Sequence, residues 1–339
     1  MAAGTSDESL RGVVVVGASA GGVGALQNMA AHLPTDLPYA VLVVLHVPAR
    51  APSVLAQILD RAGPMPAGTA ENGAHLKAGR IYVGVPDRHM LVFDHRIVLS
   101  RGPTENAYRP AINALFRSAA AAFGQRAIGV LLSGVLDDGV LGLTAIKARG
   151  GTTICQNPDD ALFPAMPANA QAAGVVDHQA AATEIGPLLK ELTKREIKEV
   201  HMEREPRMEL ENRIAMGGHF AIDFDSESLG PPSGYTCPDC NGSLASVGDG
   251  HYRCRVGHAL TAEALLGARD DEVEGALWVA VRSLQEKAKL ARRMAANVGT
   301  NGARFRRYNA QAEEAEHAVS VLADRLGAVG PAVGSTPDG

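Results

Sequence analysis

The run VVVV at 13–16, followed by GASAGG at 17–22, constrains this chain more than any other feature. Four consecutive β-branched residues form a strand buried on both faces, and the glycine-rich stretch behind them turns the chain into a helix beginning near Gly22. Ser19 sits on that turn. Unpaired N–H groups and the positive end of the helix dipole point at whatever occupies it, which suits a phosphate or a developing oxyanion. A strand, glycine-rich turn and helix is more often a phosphate cradle than a seat for a nucleophile. The dinucleotide fingerprint, however, has glycine where this chain has Ser19, and an acidic ribose anchor after the second strand. The second strand here ends in His46, so a base stands where the anchor belongs.

Up to about residue 193, short apolar runs alternate with amphipathic stretches. The pattern predicts strands at 13–16, 40–45, 80–84, 127–133, 152–155 and 174–177, and helices at 22–32, 53–61, 110–123, 139–149, 168–173 and 182–192. Such alternation implies an α/β fold, a doubly wound and mostly parallel sheet with helices on both faces. Runs at 90–93 and 96–100, separated by Asp94 and His95, predict an inserted antiparallel hairpin. Sites in such sheets form at the C-terminal strand ends, where Ser19, His46 and the loop after Ser133 all lie. That loop reads SGVLDDG over 133–139. Asp138 is placed either to cap the following helix or to join the serine and histidine as the carboxylate of an acyl-transfer triad. The order Ser, His, Asp, with the serine as early as position 19, excludes the α/β-hydrolase scaffold.

With 339 residues, two or three domains are expected. A net charge of −5 argues against a nucleic-acid partner. The acidic N-terminus has no apolar signal region and no later stretch approaches a membrane span, so a cytoplasmic protein without membrane insertion is expected. Residues 1–193 are read as the catalytic domain. Residues 194–213 carry six basic and six acidic residues and read as a solvated helix or linker, not a core element, opening a linker that runs to 232, in which Pro206 interrupts any helix. Next, Cys237 and Cys240, thirteen intervening residues, then Cys254 and His258 form a Cys3His set. This spacing fits a structural zinc at the base of a ribbon spanning 233–262. A ribbon folding without metal is the alternative, and Asp239 or His251 are the substitutes for any one ligand. Cys155 reads as a buried strand residue. Over 263–329, apolar residues from Val273 to Val298 and from Phe305 to Leu326 recur every three or four positions, predicting an antiparallel helical hairpin with Leu277, Leu284 and Val319 in its seam. Residues 330–339 read as a disordered tail.

Six segments occur in order between 12 and 193: GASAGG, LHVP, PDRHM, YRPAINALFRSAA, LLSGVLDDG and AMPANA. In these the chain resembles the catalytic domain of the bacterial chemotaxis protein-glutamate methylesterases. The resemblance implies that Ser19 is the nucleophile, His46 the general acid-base and Asp138 the carboxylate that orients it. It implies no cofactor for catalysis, a backbone N–H near Val135 in the oxyanion hole, and a methyl-accepting receptor as partner. Glutamine deamidation at the same site is implied too, and a cognate methyltransferase is a further partner. His89 and Met90 read as hairpin residues that either pack or touch substrate, and Arg109 as binding either an acidic substrate or a carboxylate of the fold. The chain departs from the pattern in Ala20, where the family commonly has threonine, and in Asp137, an extra charge beside Asp138. It is also expected to be a stand-alone form, without the receiver domain that usually precedes the esterase. A low-turnover scaffold is the competing expectation. The ribbon and helical segment resemble an extension found on some stand-alone members.

Overall fold

The computed structural model describes residues 10–49, 53–195, 206–217, 230–248, 250–298 and 302–328. The expected tail at 330–339 lies outside them. The chain divides into two compact units, one ending at Leu265 and one starting at Leu266.

The first unit opens with strand β1 (Gly12–Ala18), helix α1 (Gly22–Ala31), β2 (Tyr39–Leu45), α2 (Leu55–Ala62), β3 (Ala67–Thr69) and β4 (Ile81–Val83). A hairpin of β5 (His89–Phe93) and β6 (Arg96–Ser100) follows, then α3 (Ile112–Phe123), β7 (Ala127–Leu131), α4 (Val140–Ala148), β8 (Thr152–Gln156), α5 (Ala165–Ala172), β9 (His178–Ala180) and α6 (Ala182–Leu192). Seven of these strands form one parallel sheet in the order β3-β4-β2-β1-β7-β8-β9.

Its two faces separate along β1. Val14 and Val16 enter a core with Leu26 and Met29 of α1, Leu59 of α2 and Leu189 of α6. Val13 and Val15 face the opposite core, with Leu115 and Phe116 of α3, Leu143 of α4 and Met90 of the hairpin. Strand residues buried on both sides explain the unbroken apolar run, since neither face meets water. The sequence reading of a doubly wound sheet with an inserted hairpin holds. The hairpin turn, Asp94 and His95 with φ of 46° and 56°, is the two-residue left-handed type that matches strand twist.

Three local expectations differ from the structure. The last strand is His178–Ala180, not 174–177, because Gly174 closes α5 with φ 68° and the Asp177 carboxylate takes the Thr153 N–H that a strand would have used. Helix α5 begins at Ala165, three residues early, since Pro167 falls in a first turn whose N–H groups have no intrahelical partner. Within the segment read as a solvated linker, Pro206–Met216 forms α7, with Pro206 as its first residue rather than its breaker. Met208, Ile214 and Ala215 are buried, and the Ala215 carbonyl accepts the Ser100 hydroxyl at 2.5 Å. Alternating charges hid this short apolar face.

The ribbon belongs to the same compact unit: β10 (Pro232–Thr236), β11 (Ser243–Gly248), β12 (His251–Cys254) and β13 (Ala259–Thr261) form an antiparallel sheet in chain order. The second unit holds most of α8 (Ala262–Asn297) and all of α9 (Ala303–Ala328). Arg292 binds Glu316 and Asn309, consistent with an antiparallel pair. Its buried positions are Val281, Ala288, Ala291, Ala295, Ala312 and Ala315. Val273, Met294 and Val298 of the expected seam are exposed instead; small residues allow close helix approach and take their place. Among the described residues no helix is long and apolar enough to cross a membrane.

Candidate active site

Ser19, His46 and Asp138 follow β1, β2 and β7, three neighbouring strands at the point where the sheet order reverses direction. Ala18 pairs with Leu45, so the next residue of each strand, Ser19 and His46, emerges at the same level. His46 Nδ1 lies 3.2 Å from Ser19 Oγ and its Nε2 lies 2.8 Å from Asp138 Oδ2. A proton on Nε2 is held by the carboxylate, which leaves Nδ1 as acceptor for the serine hydroxyl.

Glycine shapes the serine turn at two places. Gly21 has φ 70°, and a Cβ there meets the Ser133 hydroxyl at 2.8 Å. At Gly17 a Cβ meets Ile112 Cγ2 at 2.3 Å, so only glycine lets the start of α3 press onto β1. The turn is then pinned from below. Ser19 N–H donates to the Ser133 carbonyl (2.9 Å), and the Ser133 hydroxyl donates to the Ala20 carbonyl (2.8 Å) while accepting the Phe163 N–H (3.0 Å).

Asp138 accepts the adjacent Gly139 N–H at 3.1 Å, but the helix whose first turn it caps is α3, not the one that follows it. Its Oδ2 accepts the Ile112 N–H (2.7 Å) and its Oδ1 the Asn113 N–H (3.2 Å), the first two donors of α3. Asn113 returns the service: its Oδ1 accepts the N–H groups of Gly139 (3.0 Å) and Gly142 (2.8 Å) at the start of α4. The two helix starts exchange caps, and the positive end of α3 faces the buried carboxylate. Asp137 points elsewhere, accepting the Thr261 hydroxyl at 2.8 Å.

Burial, opposed by the Thr261 hydrogen bond and reinforced by Glu263 and Asp138, pushes the Asp137 carboxyl up to about 6. A raised pKa means that wild-type stability falls as pH rises from the ordinary value of 3.8 through about 6, because the folded state holds the proton longer. Asp137→Asn keeps an oxygen for Thr261 and loses the charge. Its melting temperature is therefore expected to match wild type near pH 4 and exceed it increasingly toward pH 7. A gap that does not change across that range would show that Asp137 carries no such penalty.

His89 and Met90, read as either packing or touching substrate, are packed inside the fold. His89 is fully buried; its Nε2–H donates to the Pro103 carbonyl (2.8 Å) and its Nδ1 accepts the Ala111 N–H (3.2 Å). Burial first, with the Arg109 and Arg117 charges, lowers its pKa and keeps it neutral. Met90 is fully buried in the core. Arg109 binds a carboxylate of the fold, with Nε and Nη2 on Asp87 at 3.0 and 2.5 Å and Nη1 on the Gly102 carbonyl. Val135 is 36% exposed beside the serine turn, where a Cβ on Gly134 meets Ser19 Cβ at 2.9 Å.

Sequence reasoning passed over Tyr108, whose ring stacks on His46 with centroids 3.7 Å apart and planes 7° from parallel. It also passed over the cap of Asn113. Both lie within YRPAINALF, so the segment carried the signal without showing which side chains face the site. A cavity of about 410 Å³ lies between α3, α4, α7 and the ribbon, lined in part by Asn113, Arg117 and Arg253, and neither Ser19 nor His46 lines it.

Cys237, Cys240, Cys254 and His258 converge, with all ligand atoms within 4.8 Å of one another. Cys240 and Cys254 sulfurs are 3.7 Å apart, and His258 Nδ1 is 3.7 and 3.5 Å from the Cys237 and Cys254 sulfurs. Ordinary zinc bond lengths give tetrahedral edges of about 3.8 Å between sulfurs and about 3.6 Å between sulfur and nitrogen. The group thus fits a metal ion. Asp239 binds Thr104 instead, and His251 lies outside the cluster.

A hydroxyl, an imidazole and a carboxylate joined across the switch point of a doubly wound sheet define a serine-hydrolase-like α/β protein. The CheB methylesterase family model matches residues 14–189, and the chain belongs to that family. The chain is similar to protein-glutamate methylesterase/protein-glutamine glutaminase 3 of Anaeromyxobacter dehalogenans, at 40% identity over 49% of each chain. It is also similar to the Geobacter sulfurreducens protein of the same name, at 37% identity over 49% of this chain and 46% of that one. The chain thus spans about half the length of these curated relatives. The crystal structure of the Thermotoga maritima CheB methylesterase catalytic domain matches with a TM-score of 0.52 and 29% identity, over 53% of this chain and 98% of that domain.

Proposed function

We propose that this protein is a protein-glutamate methylesterase acting on methyl-accepting chemotaxis receptors, with glutamine deamidation at the same site. The observation that carries this reading is the continuous hydrogen-bonded line from Ser19 through His46 to Asp138 in a member of the CheB methylesterase family. His46 Nδ1 takes the Ser19 proton as Oγ attacks the ester carbonyl. Backbone N–H groups of Ala20, in the turn just before α1, and of Val135 stabilise the oxyanion; the Gly134 N–H is committed to the Phe163 carbonyl. The imidazolium, held by Asp138, returns its proton to the departing methoxide and methanol leaves. A water molecule then gives a proton to His46 and its hydroxide to the acyl carbon; the acyl–Oγ bond breaks as His46 passes that proton to Ser19 Oγ, releasing glutamate and restoring the serine. No cofactor enters this chemistry.

Methanol release from methylated receptors of the same organism, together with labelling of Ser19 by a serine-reactive phosphonate, tests the proposal. An unlabelled serine and no methanol would favour a scaffold.

Zinc is the metal we assign to the Cys3His group. Purified protein is expected to contain about one equivalent, and Cys240→Ser to lose it with a lower melting temperature. Metal-free protein that melts as the loaded form does would sink the assignment.

A further inference from the structure

The esterase reading uses Ser19, His46 and Asp138 but leaves unexplained why an aromatic ring lies flat on the imidazole. Tyr108 is half-buried, and its stack on His46 blocks rotation of the ring about its own bond to the backbone side. Both nitrogens must keep their directions for the relay to function, one toward Ser19 and one toward Asp138. The phenol face also lies against the cation that forms when the imidazole takes a proton, an attractive arrangement.

Tyr108 projects from an unfavourable turn. Glu105 and Tyr108 exchange backbone hydrogen bonds at 3.2 and 2.9 Å around Asn106 and Ala107, whose φ values of 50° and 64° are both left-handed. Asparagine tolerates that conformation and alanine does not, so the turn needs external support. The ribbon supplies it. Asn106 N–H donates to the Ala259 carbonyl (2.8 Å), Ala259 N–H to the Thr104 carbonyl (3.2 Å), and Thr261 N–H to Asn106 Oδ1 (2.9 Å). Thr104 in turn donates its hydroxyl to Asp239 (2.6 Å), inside the Cys237–Cys240 knuckle. The Thr261 hydroxyl reaches Asp137, next to the triad carboxylate. The ribbon therefore touches the turn that carries Tyr108 and the residue beside Asp138.

We propose that Tyr108 is a positioning residue for His46, and that strand β13 of the ribbon keeps it in place by pinning the turn from which it projects. The inference rests on the esterase reading of Ser19. The ribbon is then part of the catalytic unit.

The rate of phosphonate labelling at Ser19 in the full chain tests it. Tyr108→Phe keeps the π face and is expected to label within about twofold of wild type. Tyr108→Leu keeps apolar bulk without that face and is expected to label about tenfold more slowly. The loss should fall on the maximal rate and not on the half-saturating concentration, with a melting temperature equal to that of Tyr108→Phe. Asn106→Gly preserves the left-handed backbone, removes the side-chain bond to Thr261 and leaves the ring intact. It is expected to slow labelling in the same way. Equal labelling in wild type and Tyr108→Leu, or Tyr108→Phe as slow as Tyr108→Leu, overturns the role of the ring. Wild-type labelling in Asn106→Gly overturns the role of the ribbon. No labelling of the wild-type protein overturns the esterase reading and this inference with it.

Discussion

Ser19→Ala is expected to lower turnover of a glutamyl methyl ester on the order of a millionfold, with little change in melting temperature. The Ser19 side chain has one polar partner, His46, so its loss strands a single acceptor, His46 Nδ1, and no charge. Asp138→Asn behaves differently because this carboxylate holds two structures at once. Its oxygens accept His46 Nε2–H and the N–H groups of Ile112, Asn113 and Gly139. Whichever way the amide is turned, an NH2 group faces at least two donors. Turnover is expected to fall about 10⁴-fold from the wrong imidazole tautomer, and stability by about 2 kcal/mol or more from the uncapped start of α3. Chemical denaturation beside methanol release checks both. Wild-type stability in Asp138→Asn would mean that the caps of α3 do not depend on the carboxylate.

The same side chain shows how far the sequence could be read. Strand runs, a serine on a glycine-rich turn and a histidine at the next strand end were legible because each is local and periodic. The capping partner of Asp138 was not. Helix α4 starts two residues later in the chain, so the short-range rule assigns the cap there, whereas Asn113 and Asp138 exchange caps across 25 residues. Such exchange depends on α3 lying close over β1, which Gly17 permits and which no spacing pattern records. Helix α7 escaped for a related reason. Its apolar side consists of Met208, Ile214 and Ala215 among alternating charges, and those charges are not all solvated, since Glu211 binds Arg117 and Arg253. The Cys3His group was legible from spacing alone, because a tetrahedral site demands two knuckles and little else. What the ribbon touches was not legible: its contacts run through backbone and side-chain groups of residues 104–106 and through Asp137, far away in the chain.

Arg117 is expected to be the most costly surface-to-core charge to remove. It is 8% exposed, grips both oxygens of the Glu105 carboxylate at 3.2 and 2.7 Å, and places Nε on Asn212 Oδ1 at 3.1 Å. Burial alone would push the Glu105 carboxyl up; the Arg117 charge and hydrogen bonds overcome that and hold it at about 2. This depressed pKa is a stabilisation present above the ordinary value of 4.5 and lost as pH falls through about 2. Arg117→Met leaves Glu105, 3% exposed, without its nearest counter-charge, and is expected to cost about 3–5 kcal/mol at pH 7. Below the ordinary glutamate range the deficit should shrink, because the stranded carboxyl can take a proton. Adding Glu105→Met should restore much of the loss, since a pair replaced by apolar side chains leaves no charge unpaired, only the Asn212 Oδ1 that Arg117 had satisfied, while Glu211 keeps Arg253. Denaturation midpoints of both single variants and the double variant at pH 7 and pH 4 measure the coupling. Additive losses would mean that the pair is not an energetic unit. If coupling is found, the ion pair ties α3, whose start is capped by the triad carboxylate, to the turn that carries Tyr108 onto His46. Charge buried away from the reaction would then hold both ends of the relay in register.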